Sequence, residues 1–417
     1  MRRVFLFIIL LVLVGGAVWY FFLRTKTDEN GNPVAATGFQ SFFPVGGTGS
    51  DSGPDGVVPT GTETSGSPTN VSRFTQVTDR AIAGYTVFAL TKTVTLPNPD
   101  PKLPPIITTI TDHYLRYVAR ASGYVYEIKN AEPAVQISNI FIPNIYEATF
   151  ADSNTTALLR FLRPDSQTIG TYSVPIPPLN TDGTRTQIAG TFLSDNIDSL
   201  VVSPDTKLLA RLTTDQNGAL VSTTTTRGAT KKDLIRSPFR EWLISWPTQN
   251  TLYVQTKAAS IANGFLYRID SAAGRLRRVI GDVPGLTTSI SPSGASILYS
   301  QSTQNGFVTR LFDTKTGVTT NLSLAILPEK CAWYVNNDLL CAGSNTVPEG
   351  VYPDSWYAGL THFQDQLYRI NPATNTYSVV YDGTERLFDM TDLKLDEGQN
   401  LLYFIDKSSG TLWKTTL

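Results

Sequence analysis

Residues that commonly carry chemistry are scarce in this chain. Two His among 417 residues exclude a His-rich metal site. There is no G-x-S-x-G nucleophile elbow, no Gly-rich phosphate loop and no EF-hand spacing, so no cofactor and no catalytic motif is expected. Only 17% of residues are charged and the formal net charge is -1. Such a surface exerts little long-range pull on nucleic acid or anionic lipid, and no nucleic-acid partner is expected. Met and Cys each occur only twice, and no basic residue falls between Thr27 and Ser72. Ser, Thr, Gly and Pro are abundant instead, which suits a strand-rich body with many turns.

The stretch Leu286–Leu324 shows how that body is organised. Thr287–Ser291 alternates, Ser291-Pro292-Ser293-Gly294 interrupts it, and Ser296–Gln301 is β-rich. Asn305-Gly306 then turns into Phe307–Asp313, and Lys315-Thr316-Gly317 into Val318–Ser323. These are hairpin signals, because Gly and Asn accept positive φ at little cost. One four-stranded unit cannot bury both of its faces alone. Its first corner recurs at Thr111-Asp112, Asp152-Ser153-Asn154, Ser203-Pro204-Asp205, Trp246-Pro247-Thr248, Asn336-Asn337 and Asp396-Glu397-Gly398. Third strands recur as Gly123–Ile128, Gly264–Ile269, Gln366–Ile370 and Gly410–Thr415. The intervals lie close to the roughly 40–50-residue period of propeller blades, with a long last step that requires an insertion. The expected fold class is all-β: a seven-bladed β-propeller of four-stranded antiparallel blades over residues 72–417. The chain ends in a third strand, so Arg73–Thr78 is expected to supply the missing outer strand and remove an exposed edge.

On the Ser-Pro-Asp and Ser-Pro-Ser-Gly corners and the short third strands, the chain resembles the WD40-like and TolB-type β-propellers. No Trp-Asp repeat is present, so the resemblance is not to strict WD40 repeats. With Gly123–Ile128 and Tyr352–Gly359, the layout also resembles a group of membrane-anchored bacterial envelope proteins. The resemblance bears on fold and leaves function open.

Residues 1–26 read as a signal-anchor transmembrane segment. Met1-Arg2-Arg3 precedes the uncharged run Val4–Leu23, long enough as a helix to span a hydrocarbon core of about 30 Å, with Trp19–Phe22 at one end as an aromatic belt. A cleaved signal peptide is the rival, with Gly15 and Ala17 near a cleavage site. The apolar run continues past Ala17 and favours the uncleaved anchor. Residues 27–71, rich in Gly, Ser, Thr and Pro, read as a disordered linker. The expected partners are the cytoplasmic membrane, through this single helix, and an envelope protein or glycan bound by the propeller. The N-terminus is expected in the cytoplasm and the propeller outside it.

The insertion between Leu339–Gly343 and Gln366–Ile370 is the most informative region. It holds Tyr352, Asp354, Trp356, Tyr357, His362, Phe363 and Asp365 as candidate binding residues. Aromatics beside carboxylates suit a peptide or glycan. The plainer alternative is that Trp356 and Tyr357 pack on the propeller itself. His362 beside Asp354 and Asp365 permits general-base chemistry, so an envelope hydrolase or lyase near His362 is the alternative to a binding module. His113 reads as structural. Cys331 and Cys341 flank the Asn336-Asn337 corner and are expected to form a disulfide in an oxidising compartment. A two-residue loop would put them on opposite faces, so an odd loop or a bulge is required.

The topology has a direct test. Protease added to intact spheroplasts is expected to degrade the body. Full protection behind a closed membrane would reverse the orientation.

Overall fold

The computed structural model describes residues 26–27, 33–34, 72–100, 102–178, 185, 189–334 and 338–417. The expected anchor Val4–Leu23 lies outside these residues. Among the described residues no helix is long and apolar enough to cross a membrane. Contacts divide the chain after Thr69. In the first unit Lys26–Thr27 pairs antiparallel with Pro33–Val34, so the stretch expected to be irregular contains one short strand pair.

The second unit, from Asn70 to Leu417, contains seven four-stranded antiparallel sheets. Their inner strands are Ile82–Leu96, Ile145–Ala151, Ile197–Val202, Trp242–Thr248, Thr287–Ile290, Cys331–Trp333 and Met390–Asp396, here numbered as blades one to seven. Within each blade the strands pair in chain order. The seventh blade is the exception, because its outer strand is Phe74–Gln76, paired with Leu412–Thr416 in the register Phe74↔Thr415.

The corner sequences have a physical role. In blade three, Ser203 Oγ accepts from Leu208 N at 2.9 Å and donates to Asp205 Oδ1 at 2.6 Å, closing the turn between first and second strands. Blade five repeats this with Ser291 Oγ accepting from Ser296 N at 3.0 Å. The fourth turn position is left-handed in both, Thr206 at φ 63° and Gly294 at φ 71°. Turns between third and fourth strands are Asx turns: Asp270 Oδ1 accepts from Ala272 N and Ala273 N at 2.9 and 2.8 Å, and Asp313 Oδ1 from Lys315 N and Thr316 N at 2.9 and 2.7 Å.

One sequence expectation changes. Thr111-Asp112 is no corner, since both lie inside Ile106–Ala119, which pairs along its whole length with Ile82–Leu96. The turn sits instead in the proline-rich stretch 97–105, where Pro97, Pro99, Pro101, Pro104 and Pro105 withhold ladder donors. The Asn336-Asn337 corner lies outside the described residues. The pairs Trp333↔Leu339 and Cys331↔Cys341 leave an odd number of residues between the strands. That parity puts both Cys on one face, and the structure joins them with Cα atoms 4.1 Å apart.

Core residues gather between blades. Val118 and Val125 of blade one meet Ile145 and Ala157 of blade two, and Leu252 and Val254 of blade four meet Leu212 and Val221 of blade three. Between blades six and seven, Phe74 packs with Tyr381, Phe388 and Phe404 at ring separations of 4.7, 4.9 and 6.0 Å. The closing strand thus contributes a buried aromatic as well as hydrogen bonds.

Removing residues 1–71 is therefore expected to leave a stable domain, whereas removal through Thr78 should destabilise it strongly. Phe74→Ala alone should cost about 3–5 kcal/mol in denaturant unfolding. Equal melting temperatures for the two truncations would refute the dependence on this strand.

Candidate functional site

Connections between second and third strands share one face of a propeller, called the upper face here. The blade-six insertion lies there, and its shape follows from what it covers. Pro328–Lys330 forms one turn of 3-10 helix that ends as the inner strand Cys331–Trp333 begins. The turn delivers Lys330 into the interior, fully buried. Its ammonium has three N–H groups and three acceptors: Asp365 Oδ2 at 2.8 Å, Asp389 Oδ1 at 2.5 Å and the Met390 carbonyl at 3.0 Å. Asp365 immediately precedes the third strand of blade six, and Asp389 immediately precedes the inner strand of blade seven. The cluster thus ties two blades together at their upper ends. Asp365 reinforces this, accepting from Met390 N at 2.5 Å while its own N–H donates to the Phe388 carbonyl at 2.9 Å.

The insertion's aromatics form the lid. Trp356 Nε1 donates to Asp389 Oδ2 at 3.0 Å. The Lys330 ammonium lies 5.4 Å from the Trp356 ring centre and 4.9 Å from that of Phe363, within cation–π range. Tyr352 packs on Phe307 of blade five at 4.9 Å and on Phe363 at 5.8 Å. Lys407 of blade seven holds the lid from outside, donating to the Trp356 carbonyl at 2.7 Å. Toward blade four, Asp354 Oδ2 accepts from Ser260 N at 2.8 Å and Ser260 Oγ at 2.5 Å. The insertion therefore reaches across blade five.

The seven candidate residues divide accordingly. Tyr352, Trp356, Phe363 and Asp365 are buried and present no surface to a ligand, which corrects the expectation of an open aromatic face. The reason is the buried ammonium, which needs acceptors and a dry cover. Asp354 is a tether. Tyr357 turns its hydroxyl inward to donate to Glu329 and leaves its ring partly exposed; burial raises the pKa of both groups. His362 is exposed. Its Nδ1 lies 3.6 Å from Asp389 Oδ2, and the expected grouping with Asp354 and Asp365 is not formed. Lys330 and Asp389 escaped sequence reasoning. The available signal was a Lys directly preceding a strand and an Asp between Phe388 and Met390.

The fold is that of a WD40-like or TolB-type β-propeller. Among solved structures, the chain is similar to TolB from Acinetobacter baumannii at 11% identity and TM-score 0.40, over 73% of this chain and 80% of that one. It is similar to an oligogalacturonate lyase in complex with manganese at 11% identity and TM-score 0.48, over 81% and 98%. It is also similar to the β-propeller domain of the Trilobed protease from Pyrococcus furiosus at 10% identity and TM-score 0.45, over 73% and 91%. No protein-family model and no curated protein matches the chain.

One lysine faces two carboxylates in this propeller's upper face. Burial pushes the Asp365 carboxyl up to about 6, against the opposing pull of Lys330 and with a further push from Asp389. Its Oδ1 is buried without a partner, as fits a carboxyl that takes up a proton readily. A raised folded pKa means that the native state binds more protons than the unfolded state between roughly pH 4 and 6. The contribution is fully present below the unfolded value and lost as pH rises through the folded one. Stability should therefore fall by an amount on the order of 2 kcal/mol from pH 4 to 7, and Asp365→Asn should flatten that slope. Parallel denaturation profiles of the two proteins across this range would show that Asp365 does not titrate there.

Proposed function

We propose that this propeller is a non-catalytic recognition module, anchored outside the cytoplasmic membrane, that binds an envelope protein through its upper face. The observation that carries the reading is the fixed insertion and what it leaves outside. Its inner side is locked by Lys330, Trp356 and Tyr352, while Val351, Tyr357 and Leu360 are 53%, 46% and 78% exposed. The Asp354–Ser260 bonds bring the insertion to blade four's loop, where Ile261 is 95% exposed. Aliphatic groups held at such exposure on a rigid support suit contact with a protein surface. A glycan is less well served, because Tyr352, Trp356 and Phe363 are buried and only the Tyr357 ring is left to stack on a sugar. A binding role is also favoured over catalysis by the state of His362. The carboxylate nearest it, Asp389, already serves Lys330 and Trp356.

The test is cross-linking in intact cells from a photoreactive residue at position 351. Ile261→Asp with Leu360→Asp should remove the main adduct and leave the melting temperature unchanged, both positions being exposed. An adduct that persists undiminished would reject the upper face as the contact surface.

A further inference from the structure

The opposite end of the channel, where first and second strands turn, holds a cavity of about 830 Å³. Inner strands of blades one, six and seven wall it, and the long blade-one hairpin extends one side. The volume falls within the range of small-ligand sites. We infer that this cavity binds an organic cation: a protonated amine or guanidinium on an aliphatic stem.

The polar groups left free at this cavity indicate the charge of its ligand. His113 Nδ1 lies 3.0 and 2.9 Å from the two oxygens of Asp396. A carboxylate only accepts, so Nδ1 carries a proton and, in the neutral ring, Nε2 is an acceptor. Nε2 has no partner among the described residues. Glu397, next along the chain, is exposed at the cavity and makes no ion pair among the described residues. The lining contains one lysine, and it is committed: Lys394 Nζ donates to the Tyr85 carbonyl at 2.7 Å and to Asp392 Oδ2 at 3.0 Å. The cavity thus offers unfilled acceptors and an excess of negative charge. Val87 and Ala332 provide apolar wall for the stem. A cationic head satisfies these acceptors with charge-assisted hydrogen bonds, which an anion or a neutral alcohol cannot do as well.

The chain's two histidines make the site directly observable. The imidazole Cε1 protons of the full-length protein give two resonances, assigned with the exposed-site variant His362→Gln. Titration with 1,5-diaminopentane is expected to shift the His113 resonance saturably and leave that of His362 in place. Glu397→Gln, a change in an exposed turn, should weaken binding about tenfold without altering the melting temperature. Pentanoate should have no such effect. A response of both histidines alike, no saturable response at His113, an equal response to pentanoate, or an unchanged affinity in Glu397→Gln would each overturn the inference.

Discussion

The upper half of blades six and seven depends on one buried ammonium. Taking Lys330 out of water costs several kcal/mol, and its carboxylates cost more. The cost is tolerable only because three N–H groups meet three acceptors and a dry cover excludes competing water. This explains why Trp356, Phe363 and Tyr352 are drawn inward. A hydrophobic cluster of the same volume could hold the blades together at least as well. What the ion cluster adds is direction: its acceptors come from the starts of two different strands, so only one placement of the insertion satisfies it. Removing Trp356 would therefore open a charged site as well as a cavity, and its loss should not be read as loss of a ligand contact.

The ring beyond this cluster is held differently from one sector to the next. Buried apolar residues meet at the interfaces between neighbouring blades. Blades one to three add arginines that reach across. Arg116 of blade one donates to the Asn154 carbonyl of blade two, and Arg160 of blade two to the Ile197 carbonyl of blade three. These bonds are directional, like those of Lys330, but their acceptors across the blade boundary are backbone carbonyls, and the carboxylate paired with each arginine, Glu127 or Glu147, belongs to the arginine's own blade. Closure combines both kinds of contact: Phe74 fills an aromatic pocket, its strand completes the hydrogen-bonded edge, and Arg73 beside it donates to the Val380 carbonyl of blade six at 2.8 Å.

Much of this architecture could be read from local patterns. Ser-Pro corners, Asx turns and alternating third strands are short-range devices, and each is written in a few consecutive residues. The outer strand of the last blade was legible because a missing strand leaves an edge. Thr111-Asp112 looks like a turn in isolation, but continuous pairing with the preceding strand overrides that local preference. The site was less legible for a plain reason. A Lys or Asp in a sequence reads as surface, and only tertiary pairing makes Lys330 a core residue. Likewise His113 and Asp396 stand 283 residues apart and meet only because the ring closes. The aromatic insertion was visible, but sequence could not say which side of it faced out.

Ring closure also determines where each kind of group can act. At the upper end of blades six and seven, the insertion covers the Lys330 ammonium, all three of whose protons are used, and leaves Val351, Tyr357 and Leu360 exposed on its outer side. At the lower end, the blade-one hairpin continues past its neighbours and the inner strands leave space between them. His113 there is paired on one side only: its Nδ1 is held by Asp396, while its other nitrogen has no partner among the described residues. A rigid ring does not let one end borrow partners from the other. The same chain can therefore hold a buried ammonium with every proton used and an open set of acceptors at opposite faces of one ring. That separation keeps the two sets of groups chemically independent of each other.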